Sequence, residues 1–346
     1  YNAFTSKELT GYYAKSHPKH FDKILDIVSD IYLNQVFDEK EIIKEKGVIL
    51  EEINMYKDLP MRSVSTDFVK LVYGDQPAGR TVLGSPENIK RFSKNDFLKY
   101  KNDHYVGSST LVFIAGNFDQ KEAIKKVEAF FSNISISKKK SKNKIKEQQS
   151  KPALSIKTKK IDQTHIMLGV RTTPANHKDT AVLKVLSTIL GEGMSSRLFQ
   201  KVRGELGAAY YVNSSNYFFT DHGLLIIRAG LDSKRYKKVI EAIIQECVKL
   251  GKDLVSDTEL KKAKEYLIGT MYLGLETSDS LAEFYADQEV LTGDLETPQN
   301  VAKKIKAVTA RDVKRVANKI FTNKNLNLAV IGPKSEKIAL KEILKF

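Results

Sequence analysis

The apolar positions of this chain recur in blocks, and the blocks come twice. In the first half, Gly11-Tyr12-Tyr13-Ala14-Lys15 reads as a strand. Pro18 then opens a helix with Phe21, Ile24, Leu25, Val28, Ile31 and Tyr32 on one face. In the second half, Leu224-Leu225-Ile226-Ile227-Arg228-Ala229 predicts a strand, and Tyr236, Val239, Ile240, Ile243, Ile244 and Cys247 mark the helix after it. The ends of the two blocks match more closely. Ser93-Lys94-Asn95-Asp96-Phe97 opens a helix that leads to Leu111-Val112-Phe113-Ile114-Ala115-Gly116. Thr309-Ala310-Arg311-Asp312-Val313 opens one that leads to Asn327-Leu328-Ala329-Val330-Ile331-Gly332. Asp96 to Gly116 is twenty positions, and so is Asp312 to Gly332. Ser93 and Thr309 suit an N-cap, and each apolar run closed by glycine predicts a buried strand. A gapless match of cap, helix, strand and glycine points to duplication. Strand then helix, repeated in each half, predicts an α+β layering with helices on one face of each sheet.

Between the halves, the Lys/Ser/Gln-rich stretch from Ser135 to Pro152 breaks the periodicity. The sequence therefore divides into an N-terminal domain at 1–135, a basic linker at 136–155 and a homologous C-terminal domain at 156–346. A length of 346 residues accommodates two domains. With 41% hydrophobic and 29% charged residues the chain is not of a disordered class. Every long apolar stretch is interrupted by charge, so no membrane span is expected.

The net charge of +15 invites a nucleic-acid reading. Much of it is local, because residues 138–151 alone carry a net +6. No aromatic residues interleave with these lysines and no nucleic-acid motif accompanies them, so the run reads as a solvated linker and nucleic acid is not an expected partner. The single cysteine, Cys247, rules out an internal disulfide and reads as a small buried helix residue. The start, Tyr1-Asn2-Ala3-Phe4-Thr5, has no Met and no basic leader and reads like the middle of a strand. A fragment or processed chain, located in the cytoplasm, is the expectation.

The candidate chemistry lies on one helix. Asp38-Glu39-Lys40-Glu41 has the form of a capping box, and the helix it opens runs to about Tyr56 and stops before Pro60. Glu45 and Glu52 are seven apart, nearly two turns, and share a face with Val48 and Ile49 between them. Carboxylates on a half-apolar face call for a compensating cation, whether a metal, an arginine or a lysine. The bland alternative is a solvated face with Glu/Lys pairs, for which Lys44 and Lys46 are available.

Around that helix stand Asn2-Ala3-Phe4-Thr5-Ser6, Tyr12-Tyr13, Phe37-Asp38-Glu39, Glu45-Lys46-Gly47-Val48-Ile49-Leu50-Glu51-Glu52, Tyr56-Lys57-Asp58-Leu59-Pro60 and Gly79-Arg80-Thr81-Val82-Leu83-Gly84, in this order. The second half has Gly191-Glu192-Gly193-Met194-Ser195-Ser196-Arg197-Leu198, then Arg203-Gly204-Glu205-Leu206-Gly207-Ala208-Ala209-Tyr210. Together these resemble the pitrilysin/insulinase family of zinc metallopeptidases, the inverzincins, and most closely its processing-peptidase-like branch. The resemblance runs through essentially the whole chain. It implies two homologous α/β-roll domains of mostly antiparallel sheet covered by helices, facing a central cleft like shell halves. It also implies a zinc endopeptidase that cleaves unfolded peptides in a closed chamber, and a homo- or heterodimer.

In that family zinc is held by the two histidines of an HxxEH helix and a distal glutamate, and the glutamate within HxxEH activates the water. The resemblance puts the distal ligand at Glu52 and a supporting acid at Glu45. It makes Asn2-Ala3-Phe4-Thr5 the edge strand on which a peptide is laid. It matches Arg203 and Tyr210 to a pair from the second domain that orients the scissile carbonyl; the alternative is Arg203 paired to Glu205 and Tyr210 packed in the core. Gly191-Glu192-Gly193 lacks the lysine and spacing of a phosphate loop and reads as a loop or helix C-cap. Glu45 and Glu52 face Ala263 and Thr270 in the second copy, so only the first carries the acidic pair.

The chain departs from the pattern in one respect: HxxEH is absent. The histidines are His17, His20, His104, His165, His177 and His222, and none stands in that spacing. Two readings follow. The complete protein carries the motif upstream of Tyr1, or the chain is a catalytically inactive partner subunit of a processing-peptidase-like complex. In both, this chain alone is expected to bind zinc poorly and to be inactive.

Overall fold

The computed structural model describes residues 1–333 and 336–346. In chain order the first half contains β1 (Asn2–Thr5), β2 (Thr10–Tyr13), α1 (Phe21–Leu33), α2 (Glu39–Asp58), α3 (Pro60–Tyr73), α4 (Pro86–Arg91), α5 (Lys94–His104) and α6 (Gln120–Phe130). The second half contains β3 (Ala153–Thr158), β4 (Gln163–Thr172), α7 (Thr180–Gly191), β5 (Ala209–Phe218), β6 (Gly223–Asp232), α8 (Tyr236–Lys252), α9 (Asp257–Gly274), α10 (Ser278–Thr292), α11 (Pro298–Ala307), α12 (Ala310–Ile320), β7 (Leu326–Gly332) and α13 (Lys337–Ile343).

These elements gather into two compact units, each discontinuous in sequence. One comprises 1–55, 81–143 and 275–286; the other comprises 56–80, 144–274 and 287–346. The second unit is built on a five-stranded sheet in the order β3-β7-β4-β6-β5. β3 and β7 run parallel and the remaining neighbours are antiparallel. Alternation along the strands sends Ile166, Leu168 and Val170 of β4 and Leu328 and Val330 of β7 to one face. There they join Leu183, Leu186 and Leu190 of α7, Val239, Ile240 and Ile243 of α8, and Val313 and Val316 of α12. Each such large side chain contributes roughly 1.5–3 kcal/mol on burial, which makes this the main core.

The sequence predicts helices on one face of each sheet, and here the structure differs. The opposite face of β4, β6 and β7 presents Met167, Leu224, Ile226, Ala329 and Ile331, and α3 covers it with Val64, Phe68, Val72 and Tyr73. β7 is consequently buried along its whole length. A strand apolar on both sides needs cover on both sides, and a helix from the first half supplies it.

The first unit is leaner. Its sheet is the β1–β2 pair, antiparallel from Asn2↔Tyr13 to Thr5↔Thr10. Among its described residues the buried apolar side chains are Leu25, Ile53, Val106 and Ala123. The run Leu111–Gly116, expected as a buried strand, forms none, and Leu111, Val112 and Phe113 are exposed. The physical reason is pairing. In the second half β7 lies between β3 and β4, whereas among the described residues no strand flanks 111–116.

The internal repeat is present from β1–β2 and β5–β6 onward, except that 111–116, which matches β7 in sequence, forms no strand. α1 matches α8, α2 matches α9, α3 matches α10 and α5 matches α12. Ser93 and Thr309 each close a capping box, with Asp96 and Asp312 returning to the cap backbone. A second matched pair is Ser85-Pro86-Glu87-Asn88 and Thr297-Pro298-Gln299-Asn300, in which Ser85 and Thr297 accept from the amides of Asn88 and Asn300. α3 and α10 are each followed by a left-handed glycine, Gly74 (φ 62°) and Gly293 (φ 66°). β3, β4 and α7 have no counterpart among the described residues of the first half.

Candidate functional site

The acidic helix α2 starts where the sequence places it. Asp38 Oδ1 accepts from the amides of Lys40 (2.9 Å) and Glu41 (3.2 Å). Glu41 does not reach back to complete a box, because its carboxylate pairs with Lys44 at 2.5 Å. Phe37 enters the helix with a left-handed φ of 52°, held by a stack of its ring on Phe97 at 5.6 Å. The helix runs to Asp58 and stops before Pro60, as expected.

Its surface is open. Only Ile53 is buried, while Ile43 (68%), Val48 (58%) and Met55 (50%) are exposed. Glu45 is exposed and Glu52 is half-buried. The lysines that could pair with them are engaged elsewhere, Lys44 with Glu41 and Lys46 with the carbonyl of Lys90 at 3.1 Å. Among the described residues, neither glutamate's carboxylate has a hydrogen-bond or ion-pair partner. The solvated-face reading survives in exposure but not in pairing.

Among the described residues no three His, Cys, Asp or Glu side chains gather in a group that could hold a metal ion. The residues present therefore do not fit a complete zinc site. His17 and His20 offer no substitute. His17 caps a short 3-10 turn that ends at His20, and its Nδ1 accepts from the amide of Lys19 at 3.3 Å.

Asn2, Ala3, Phe4 and Thr5 form β1, exposed throughout and paired only to β2. Its counterpart β5 is an edge strand of the five-stranded sheet.

Arg203 and Tyr210 belong to the second unit, and two backbone irregularities set them. Arg203 lies in a π-helical turn, Phe199–Glu205, in which the amide of Leu206 donates to the carbonyl of Lys201 at 3.1 Å. Tyr210 is the extra residue of a β-bulge between Ala209 and Tyr211, and is 64% exposed. Both devices turn a side chain out of a regular ladder and recur beside functional sites. The bland reading fails on both residues. Glu205 pairs with Lys201 at 2.5 Å, and Tyr210 lies outside the core. The Arg203 guanidinium instead sits over the ring of Phe199 at 5.1 Å. The sequence signals this contact only through the place of Phe199 four positions before Arg203.

Gly191-Glu192-Gly193 is the C-cap that the sequence suggests. Glu192 caps α7, and its carboxylate accepts from Ser187 Oγ and Thr188 Oγ1, both at 3.0 Å, while burial pushes its pKa up. A side chain on Gly191 would meet the backbone of Ser214 at 2.5 Å, so close packing requires that glycine. No helix among the described residues is long and apolar enough to cross a membrane.

Two family models match the chain. Residues 1–85 match the insulinase model of peptidase family M16, and residues 91–267 match the peptidase M16 inactive domain. A Bacillus subtilis protein described as an uncharacterized zinc protease, YmxG, is 34% identical over 332 residues, covering 96% of this chain and 80% of its own. In fold, the chain resembles a protease from Helicobacter pylori with a TM-score of 0.88 at 23% identity, covering 95% of this chain and 81% of that one. A peptidase M16 inactive domain from Pseudomonas fluorescens gives a TM-score of 0.83 at 17% identity, covering 90% and 75%.

Proposed function

This chain belongs to the insulinase (M16) family of peptidases, and we propose that it is part of a zinc-dependent endopeptidase acting on unfolded peptides, inactive by itself. The observation that carries the proposal is Glu52, a half-buried carboxylate without a side-chain partner on a helix whose Ile43, Val48 and Met55 are also uncovered. A carboxylate left unpaired on a half-apolar surface has no structural use and suits a ligand.

The internal repeat supports the assignment. In the second half α7 packs on β5 and against α9. The counterparts of β5 and α9 are β1 and α2. A helix equivalent to α7 in the first half would therefore lie along the face of α2 that carries Glu45 and Glu52. The family's HxxEH helix belongs in that place, with Glu52 as the distal ligand and Glu45 as its supporting acid. Zinc held there by Glu52 and two histidines from such a helix would supply Lewis-acid chemistry. This chain's own residues have other tasks. β1 offers the backbone of Asn2, Ala3, Phe4 and Thr5 to an extended peptide. Arg203 and Tyr210, turned out by the π-turn and the bulge, are hydrogen-bond donors for a substrate carbonyl. Pairing of two chains, as in the processing-peptidase-like branch, is part of the same proposal.

A second reading is a catalytically inactive partner subunit of a processing-peptidase-like complex; the match of residues 91–267 to the inactive-domain model is expected under both readings, since only the first copy carries the acidic pair. The two are separated by a quenched unfolded peptide, assayed with this chain and with the full translation product of its gene. The peptidase reading expects cleavage by the full product, abolished by chelator and by Glu52→Gln, and none by this chain. No chelator-sensitive cleavage by the full product leaves the partner reading.

A further inference from the structure

The two units do not coincide with the two sequence halves. Residues 56–80 come from the first half yet belong to the unit built on the second half's sheet. Residues 275–286 come from the second half yet belong to the other unit, where Asp279 pairs with Lys15 at 2.6 Å. Each half has lent the other a segment: 56–80 holds the whole of α3, and 275–286 holds the first part of α10.

The loan of α3 is substantial. Val64, Phe68, Val72 and Tyr73 are all at least 96% buried, against Met167, Leu224, Ile226, Ala329 and Ile331. Polar contacts fix its two ends. Lys159 Nζ donates to the carbonyls of Lys57 (3.1 Å) and Asp58 (3.2 Å) ahead of α3. At the other end Arg171 Nη2 donates to the carbonyl of Val72, and the Arg171 guanidinium lies over the Tyr73 ring at 5.9 Å. His222 meets the same ring edge-on at 5.0 Å. Gln76 exchanges two hydrogen bonds with the backbone of Lys146, at 2.7 and 3.0 Å. An apolar helix face seated on an apolar sheet face with both ends bonded has the features of a stable interface core.

The covalent link between the halves has the opposite character. Residues 138–144 are all exposed and include Lys138, Lys139, Lys140, Lys142 and Lys144. Such a segment is open to any protease that cuts after lysine. We propose that this strap is dispensable as a tether: a chain cut within it stays one assembled protein, because α3 of the first half remains seated on the sheet of the second. The partner that the apolar face of β4, β6 and β7 fits is the protein's own 56–80 segment, and it fits in trans.

The test inserts a specific protease sequence between Asn143 and Lys144 and cuts the purified protein. Gel filtration at micromolar concentration is expected to give one peak at the uncut volume, holding both fragments. Two separate peaks would overturn the proposal. A second arm measures the affinity of the cut halves by dilution, with Val64→Ala, a substitution mild enough to leave the uncut chain folded by circular dichroism. About tenfold or more weaker association is expected, since the lost burial falls on the interface. Equal affinity of variant and wild type would show that contacts other than α3 hold the halves, and the proposal would fall.

Discussion

Val112 and Leu328 occupy the same position in the two copies of the repeat, sixteen residues after Asp96 and Asp312, yet Val112 is 41% exposed and Leu328 is fully buried. The sequence around them is matched; the neighbours are not. Leu328 pairs with Leu154 on one side and Leu168 on the other. Among the described residues no strand lies beside Val112.

This asymmetry sets the first prediction. Leu328→Ala should lower stability by about 2–5 kcal/mol in urea unfolding, the usual cost of a large-to-small change in a packed core. Val112→Ala should stay within roughly 0.5 kcal/mol. Amide exchange should show the same contrast, with protection across 327–331 and fast exchange across 111–116.

A second prediction concerns pH. Asp179 is buried, and Arg315 donates to it twice, Nη2 to Oδ1 at 2.7 Å and Nη1 to Oδ2 at 3.1 Å. The bonds from Arg315 hold its carboxyl below the usual range. A depressed folded-state value means that the stabilisation is whole above the unfolded value, near pH 4, and is lost as pH falls through the folded one. Asp179→Asn should therefore cost about 1–3 kcal/mol at pH 6. Its gap to wild type should narrow between pH 4 and pH 2. Urea midpoints across that range give the answer, and a constant gap would contradict it.

A third prediction follows from Cys247, which has no exposed surface and whose thiol burial pushes up. The thiolate is the reactive form. A thiol reagent at pH 8 should leave the native chain unlabelled and modify one equivalent only after unfolding.

The sequence makes part of this legible for physical reasons that differ by residue. Ser93 and Thr309 are readable as caps because capping is local, fixed by a side chain and an amide three positions on. The helix of Cys247 is readable because its apolar residues fall at helical spacing. The cap pair Ser85 and Thr297 is equally local and could have been found from its Ser/Thr-Pro-x-Asn pattern. Leu111–Gly116 misleads because an apolar run reports capacity to form a strand, while pairing depends on partners distant in sequence. The placement of α3 is invisible for the same reason, since amphipathicity shows that a face will be buried and not against what. The turned-out positions of Tyr210 and Arg203 depend on a bulge and a π-turn, which no periodicity announces. At the acidic helix the reverse holds: the spacing of Glu45 and Glu52 is readable, and their lack of partners needs the structure.

The most direct test of the account is zinc stoichiometry. The account holds that this chain carries one carboxylate of a peptidase metal site and no complete site. Equilibrium dialysis against micromolar zinc, followed by metal analysis, should leave the purified chain essentially zinc-free, with Glu52→Gln indistinguishable from wild type. One tightly held zinc per chain, lost in Glu52→Gln, would contradict it.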